Sequence, residues 1–167
     1  MRCRDRRFDF DSAYPLWAYA GAVQDLVVSY KIRGIRPLAE FFADRIGERL
    51  RSGDPAGTVV PVPYRRSKLR KTGWDQVEDM VRILERRGTP VIRALERGEG
   101  ASQKTLDYAA RMSNLTGKIR VRPGVRIPDR VVLLDDVLTT GATLSECARV
   151  LKAAGARRVD ALVLAAD

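Results

Sequence analysis

Short apolar runs alternate along this chain with stretches of helical periodicity, and that alternation limits most strongly how it can fold. Thr58-Val59-Val60-Pro61-Val62, Arg130-Val131-Val132-Leu133-Leu134 and Val159-Asp160-Ala161-Leu162-Val163-Leu164 are short and almost continuously apolar. Runs of this kind suit parallel strands covered on both faces. Leu16 to Lys31 places Val23, Leu26, Val27 and Tyr30 at three-to-four spacing, and Gly34 breaks the pattern. A second helix, from about Pro37 to Arg51, carries Leu38, Phe41, Phe42, Ile46 and Leu50 on one side. Asp75 to Arg87 reads as a third helix stopped by Gly88 and Pro90, and Thr143 to Ala154 as a fourth ended by Gly155. Strands alternating with helices predict an α/β fold with a parallel sheet. The length, 167 residues, predicts one domain over residues 1–167, with no repeat or linker. From Arg97 to Lys118 the pattern dissolves into polar residues, so this stretch reads as a long loop or a marginal helix. Loops of that length in compact domains are usually functional or disordered.

Composition removes several chemistries. The chain has no histidine, which excludes a Ser-His-Asp triad, a Cys-His pair, an HExxH zinc helix and any imidazole acid or base. Its formal net charge of +10 points to polyanionic partners: phosphorylated small molecules, nucleic acid or an acidic membrane surface. Cys3 and Cys147 match no CxxC pattern, so neither a disulfide nor a zinc framework is expected. The start, MRCRDRRFDFD, is charged where a signal peptide is apolar. The apolar runs are too short to span a bilayer. A soluble, cytoplasmic protein with no membrane association is the expectation.

One segment carries the chemistry. Val131–Leu134 runs directly into Asp135-Asp136-Val137-Leu138-Thr139-Thr140-Gly141-Ala142-Thr143, and a helix follows. In open α/β sheets ligands sit at the carboxyl ends of strands, where this segment lies. Thr139, Thr140, Gly141, Ala142 and Thr143 suit a phosphate, because small residues let backbone N–H groups turn inward and the helix start adds partial positive charge. The carboxylates of Asp135 and Asp136 would repel a phosphate, but they suit sugar hydroxyls or a hydrated Mg²⁺. Both halves together fit a ribose bearing a 5′-phosphate. Helix capping accounts for one threonine, but not for two acids and three threonines in nine residues. A Walker loop is absent, and Gly98-Glu99-Gly100 reaches Gln103 where GxGxxG needs its third glycine.

With these residues in view, VVLLDDVLTTGAT resembles the phosphoribosyl-pyrophosphate (PRPP) signature of the type I phosphoribosyltransferases. Val60-Pro61-Val62-Pro63, followed by basic residues and Gly73-Trp74-Asp75-Gln76, is similar to the PVP and R-G-F-N-Q stretch of the ComF subfamily associated with bacterial competence. Arg97, Gln103, Leu106, Arg111, Asn114 and Gly117 fall at that subfamily's spacing. Tyr19-Ala20-Gly21 with Tyr30-Lys31 and Gly34 resembles its N-terminal helix. The departures are specific. Only Cys3 stands where the family has a cysteine-rich zinc knuckle, so no zinc is expected and the start reads as a shortened one. Thr72 and Asp75 stand where the family commonly has Arg and Asn. Thr139 replaces an aspartate that serves the base in purine-salvage relatives, which disfavours a 6-oxopurine acceptor.

The resemblance implies a type I phosphoribosyltransferase-like sheet flanked by helices, with a small hood and a flexible lid loop. It implies an enzyme that binds PRPP with Mg²⁺ and transfers phosphoribose to a nitrogenous acceptor. That step passes through an oxocarbenium-like transition state and needs cations and exclusion of water more than an acid-base histidine. Arg65, Arg66 and Lys68 are the candidates for pyrophosphate, and Lys104 and Arg111 the catalytic candidates on the lid. The alternative is a non-catalytic nucleotide- or PRPP-binding module in DNA uptake, using the basic stretch Arg65 to Lys71 for single-stranded DNA or a competence helicase. A homodimer is compatible with either. Lys31 at a helix end is stabilised by the helix dipole in any case. Trp74 and Cys147 read as core residues.

Overall fold

A computed structural model describes residues 8–64, 69–70, 72–98 and 118–167. The named elements are β1 (Ser12–Ala18), α1 (Gly21–Lys31), α2 (Leu38–Arg51), β2 (Thr58–Pro61), α3 (Gln76–Arg86), β3 (Leu95–Arg97), β4 (Ile119–Val121), β5 (Arg130–Leu138), α4 (Ala142–Ala153) and β6 (Arg158–Ala166). Four strands form one sheet in the order β1-β6-β5-β2, and every pairing is parallel. β3 and β4 pair antiparallel as a separate two-stranded sheet. The parallel α/β architecture expected from the sequence is therefore observed.

The central strands are buried on both faces because each face has its own helical cover. Val132, Leu134, Leu162 and Leu164 pack with Val27 and Tyr30 of α1, Phe42 and Ile46 of α2 and Met80 and Leu84 of α3. Val131, Leu133, Ala161 and Val163 pack with Leu144, Cys147, Ala148 and Leu151 of α4. Successive residues of a strand point to opposite faces. Asp135 therefore continues the α4-facing row of Val131 and Leu133, and Asp136 the opposite row of Val132 and Leu134.

Two boundaries differ from the sequence reading. The helix read from Leu16 begins at Gly21, and residues 12–18 are instead β1, in register with β6 from Ser12↔Asp160 to Ala18↔Ala166. Tyr14, Leu16 and Trp17 are partly buried against the α1–α3 side of the core, a cross-strand arrangement that a helical spacing rule cannot sense. Pro15 is tolerated because β1 is an edge strand. β5 also runs past Leu134 to Leu138, where it pairs with Ala166 of β6. The two aspartates thus sit inside a strand end held by backbone pairing.

Candidate active site

The site starts at the carboxyl end of β5 and is built from both sides of the sheet. Asp136 is buried and faces α1 and α3. Its Oδ2 accepts from the ammonium of Lys31 at 2.6 Å and from the Gln76 side-chain amide, while Oδ1 accepts from the Val137 N–H at 2.7 Å. Gln76 is held in turn by Tyr30, whose hydroxyl donates to the Gln76 carbonyl at 2.6 Å. Consecutive residues at the end of α1 thus grip the first residue of α3 and the carboxylate beside it. Burial works against the charged form of Lys31, but Asp136 outweighs it and holds the ammonium above its usual pKa.

Asp135 points the other way, toward α4. One oxygen accepts from the Asp136 N–H at 2.8 Å. Burial and the adjacent charge of Asp136 push its carboxyl up to about 7, against the pull of the Asp136 amide and Lys31. Because the folded pKa lies above the unfolded value, the folded chain binds the extra proton between roughly pH 4 and 7. The contribution of this group to stability is present below that window and is lost as pH rises through it. Asp135→Asn is therefore expected to raise the urea midpoint at pH 8 and to flatten its decline between pH 4 and 8. A midpoint at pH 8 at or below that of the parent chain would contradict this.

The loop Thr139–Thr143 follows. α4 starts after Gly141, which adopts φ 73° and has no side chain to cap the helix. The Ala142 N–H donates a long hydrogen bond of 3.4 Å to the Thr140 hydroxyl. First-turn N–H groups without a side-chain cap, at the positive end of a helix dipole, favour an anion. The chain leading into β1 forms the outer wall. A Cβ on Gly141 would stand 2.5 Å from the Phe8 ring, so glycine lets the loop and the ring meet. The Asp9 N–H donates to Ser145 Oγ at 3.0 Å, and that hydroxyl donates to the Asp9 carboxylate at 2.6 Å.

A cavity of about 560 Å³ is lined by Pro61–Tyr64, Trp74, Asp75, Arg97 and Arg122 among others, and by neither residue of the acid pair. β2 delivers its upper end next to β5, where the Val62 N–H donates to the Leu134 carbonyl at 3.0 Å. Asp75, the departure from the family's Asn, caps α3: its Oδ1 accepts from the N–H groups of Val77 and Glu78 at 3.0 and 3.1 Å. Trp74 packs on Tyr30 with ring centroids 5.4 Å apart, and the Arg36 guanidinium lies over it at 5.8 Å. Cys147 is buried and unpaired, and burial pushes its thiol well up, which suits a packing residue.

The structure thus brings Asp135, Asp136 and Thr139–Thr143 to one sheet edge. Arg65, Arg66, Lys68, Lys104 and Arg111 lie outside the described residues. Lys31 and Gln76 were not marked by the sequence as site residues. Their signals were present, a lysine at a helix end and a polar residue next to a helix start, but nothing in either shows that both meet Asp136.

An open parallel α/β sheet with an acid pair and a small-residue loop entering a helix at its carboxyl edge is the class that these observations define. Similar solved structures include a hypoxanthine phosphoribosyltransferase from Staphylococcus aureus, at 15% identity and TM-score 0.46 over 77% of this chain and 62% of that one. Another is hypoxanthine phosphoribosyltransferase from Trypanosoma cruzi, at 18% identity and TM-score 0.44 over 77% and 65%. No protein-family model matches the chain. The particular relative found among curated proteins is the competence protein ComFC of Streptococcus pneumoniae, 29% identical over 144 residues. The match covers 86% of this chain and 63% of that protein, and it bears out the ComF resemblance of the sequence. Among the described residues no helix is long and apolar enough to cross a membrane.

Proposed function

We propose that this protein binds PRPP and transfers its 5-phosphoribosyl group to a nitrogenous acceptor. The observation that carries this reading is the joining, at the end of β5, of a carboxylate pair to a small-residue loop that opens a helix at Gly141. The loop would take the 5′-phosphate and Asp135 would accept from ribose hydroxyls. The cavity lined by Val62 and Asp75 has room for an acceptor ring or the leaving pyrophosphate, since small-ligand sites run to roughly 300–1,000 Å³. In the reaction the C1–O bond to pyrophosphate breaks and a bond from the acceptor nitrogen to C1 forms, with the nitrogen losing its proton. No histidine is needed for that exchange. The cations Arg65, Arg66, Lys68, Lys104 and Arg111 are proposed to meet the departing charge.

Magnesium is tested by the donor set. Among the described residues no group of three or more His, Cys, Asp or Glu side chains is placed to hold a metal. Both oxygens of Asp136 already accept hydrogen bonds. A resident Mg²⁺ site does not fit these residues, and Mg²⁺ belongs to this reading only as part of the MgPRPP substrate.

The likeness to a competence protein favours a second reading, a non-catalytic module that keeps the phosphate loop and binds single-stranded DNA or a helicase partner through Arg65, Arg66 and Lys68. Calorimetry with PRPP and Mg²⁺, followed by a screen of nucleobases and amines for pyrophosphate release, separates the two. PRPP binding with acceptor-dependent release is the result expected. Steeply salt-dependent DNA binding without any release would favour the module.

A further inference from the structure

We propose that Lys31 makes the acid pair a site for a vicinal diol and keeps divalent cations off it. Three donors already converge on Asp136: the Lys31 ammonium at 2.6 Å, the Gln76 amide and the Val137 N–H at 2.7 Å. A carboxylate offers about four lone-pair sites, so little of this group remains for a metal. Asp135 has one described donor, the Asp136 N–H, and offers the more open oxygen. Mg²⁺ demands near-octahedral oxygen ligation and dehydrates reluctantly. A dication seated on this pair would stand within a few ångströms of a fixed ammonium, and like charges at that range repel strongly away from bulk water.

Neutral hydroxyls meet no such barrier. They donate to Asp135 while Lys31 compensates the second carboxylate, so that the pair does not repel a phosphate held by the Thr139–Thr143 loop. The lysine is held in place for this role. Tyr30, the residue before it, is buried and donates to the Gln76 carbonyl at 2.6 Å, so α1 and α3 fix the ammonium and the amide on the same oxygen. Lys31 is thus a positioning residue that acts through Asp136. The diol half of the inference rests on the phosphoribosyl reading; the metal half does not.

Two titrations of the full chain test it: Mn²⁺ alone, followed by the spin-resonance signal of the free ion, and ribose 5-phosphate alone in chelator, followed by calorimetry. The parent chain should bind ribose 5-phosphate without metal and show no Mn²⁺ binding at micromolar concentration. Lys31→Met should gain at least about tenfold in Mn²⁺ affinity and lose about tenfold or more for ribose 5-phosphate, the scale set by one charge-assisted hydrogen bond. Lys31→Arg should keep the parent pattern on both. Lys31→Gln keeps a donor for Asp136 and drops the charge, so it replaces the methionine variant if circular dichroism shows the latter unfolded; its Mn²⁺ gain should persist. A parent chain that binds Mn²⁺ tightly and loses it in Asp136→Asn overturns the inference. So do charge-removing variants that leave Mn²⁺ affinity within twofold of the parent. If the parent fails to bind ribose 5-phosphate, the phosphoribosyl reading falls while the Mn²⁺ arm still decides the role of Lys31.

Discussion

Replacing Asp135 and Asp136 together by asparagine should lower PRPP affinity by a hundredfold or more and leave the chain folded. A hydrogen bond to a charged group contributes about 1.5–3 kcal/mol. The two hydroxyls of the diol lose their charged acceptor when Asp135 becomes Asn, which removes about 3–6 kcal/mol, or roughly two to four decades in dissociation constant. The fold should survive because the two losses act in opposite directions. Asn at 135 removes a carboxyl that burial and its neighbour hold up to about 7, which relieves the folded state above that pH. Asn at 136 takes the counter-charge from Lys31, but that side chain is 37% exposed and its stem can carry the ammonium into water. Gln76 can still hydrogen-bond an amide. Calorimetry with PRPP and Mg²⁺, alongside a thermal melt, checks both halves. Affinity within threefold of the parent chain would sink the placement of the ribose at this strand end.

How much of this was legible in the sequence depends on where each interaction is decided. β2, β5 and β6 were legible because strands buried on both faces leave an uninterrupted apolar run. The acid pair and its loop were legible because every residue lies within one strand-loop-helix segment. β1 was not, since Tyr14, Leu16 and Trp17 have a side only once β6 is beside them. β3 and β4 consist of Leu-Glu-Arg and Ile-Arg-Val, three residues each and half of them charged. Their pairing comes from tertiary placement rather than propensity. The charge state of the site was the least legible part. Lys31 and Gln76 meet Asp136 from different helices, and a carboxylate read as open for sugar or metal is in fact already engaged. Asp75 shows the converse locally: the cap it forms on α3 is decided by the residues next to it in sequence.

Gly57→Ala should cost about 3 kcal/mol of stability, and the reason lies where β2 joins the sheet. A Cβ at residue 57 would stand 2.6 Å from the Arg130 carbonyl oxygen and 2.8 Å from its carbon, with φ at 154°. Both neighbours are backbone, so no rotamer change makes room. The next residue, Thr58, opens the ladder with Val131, and relief requires β2 to shift away from β5. Overpacking of this kind costs about 1–3 kcal/mol, and a backbone angle unsuited to alanine adds about 1 more. For a chain of this size that lowers the melting temperature by roughly 6–12 °C. Gly88→Ala separates the two contributions, because its φ of 85° is also left-handed while nothing lies within 4 Å of the added carbon. It should lose only the angular part, about 1 kcal/mol. The clash also reaches the site. β2 carries Val62 to its hydrogen bond with Leu134, one residue before Asp135, so ribose 5-phosphate affinity should fall in Gly57→Ala and hold in Gly88→Ala. Equal melting temperatures for the two variants would show that the approach of residue 57 to Arg130 does not constrain the sheet.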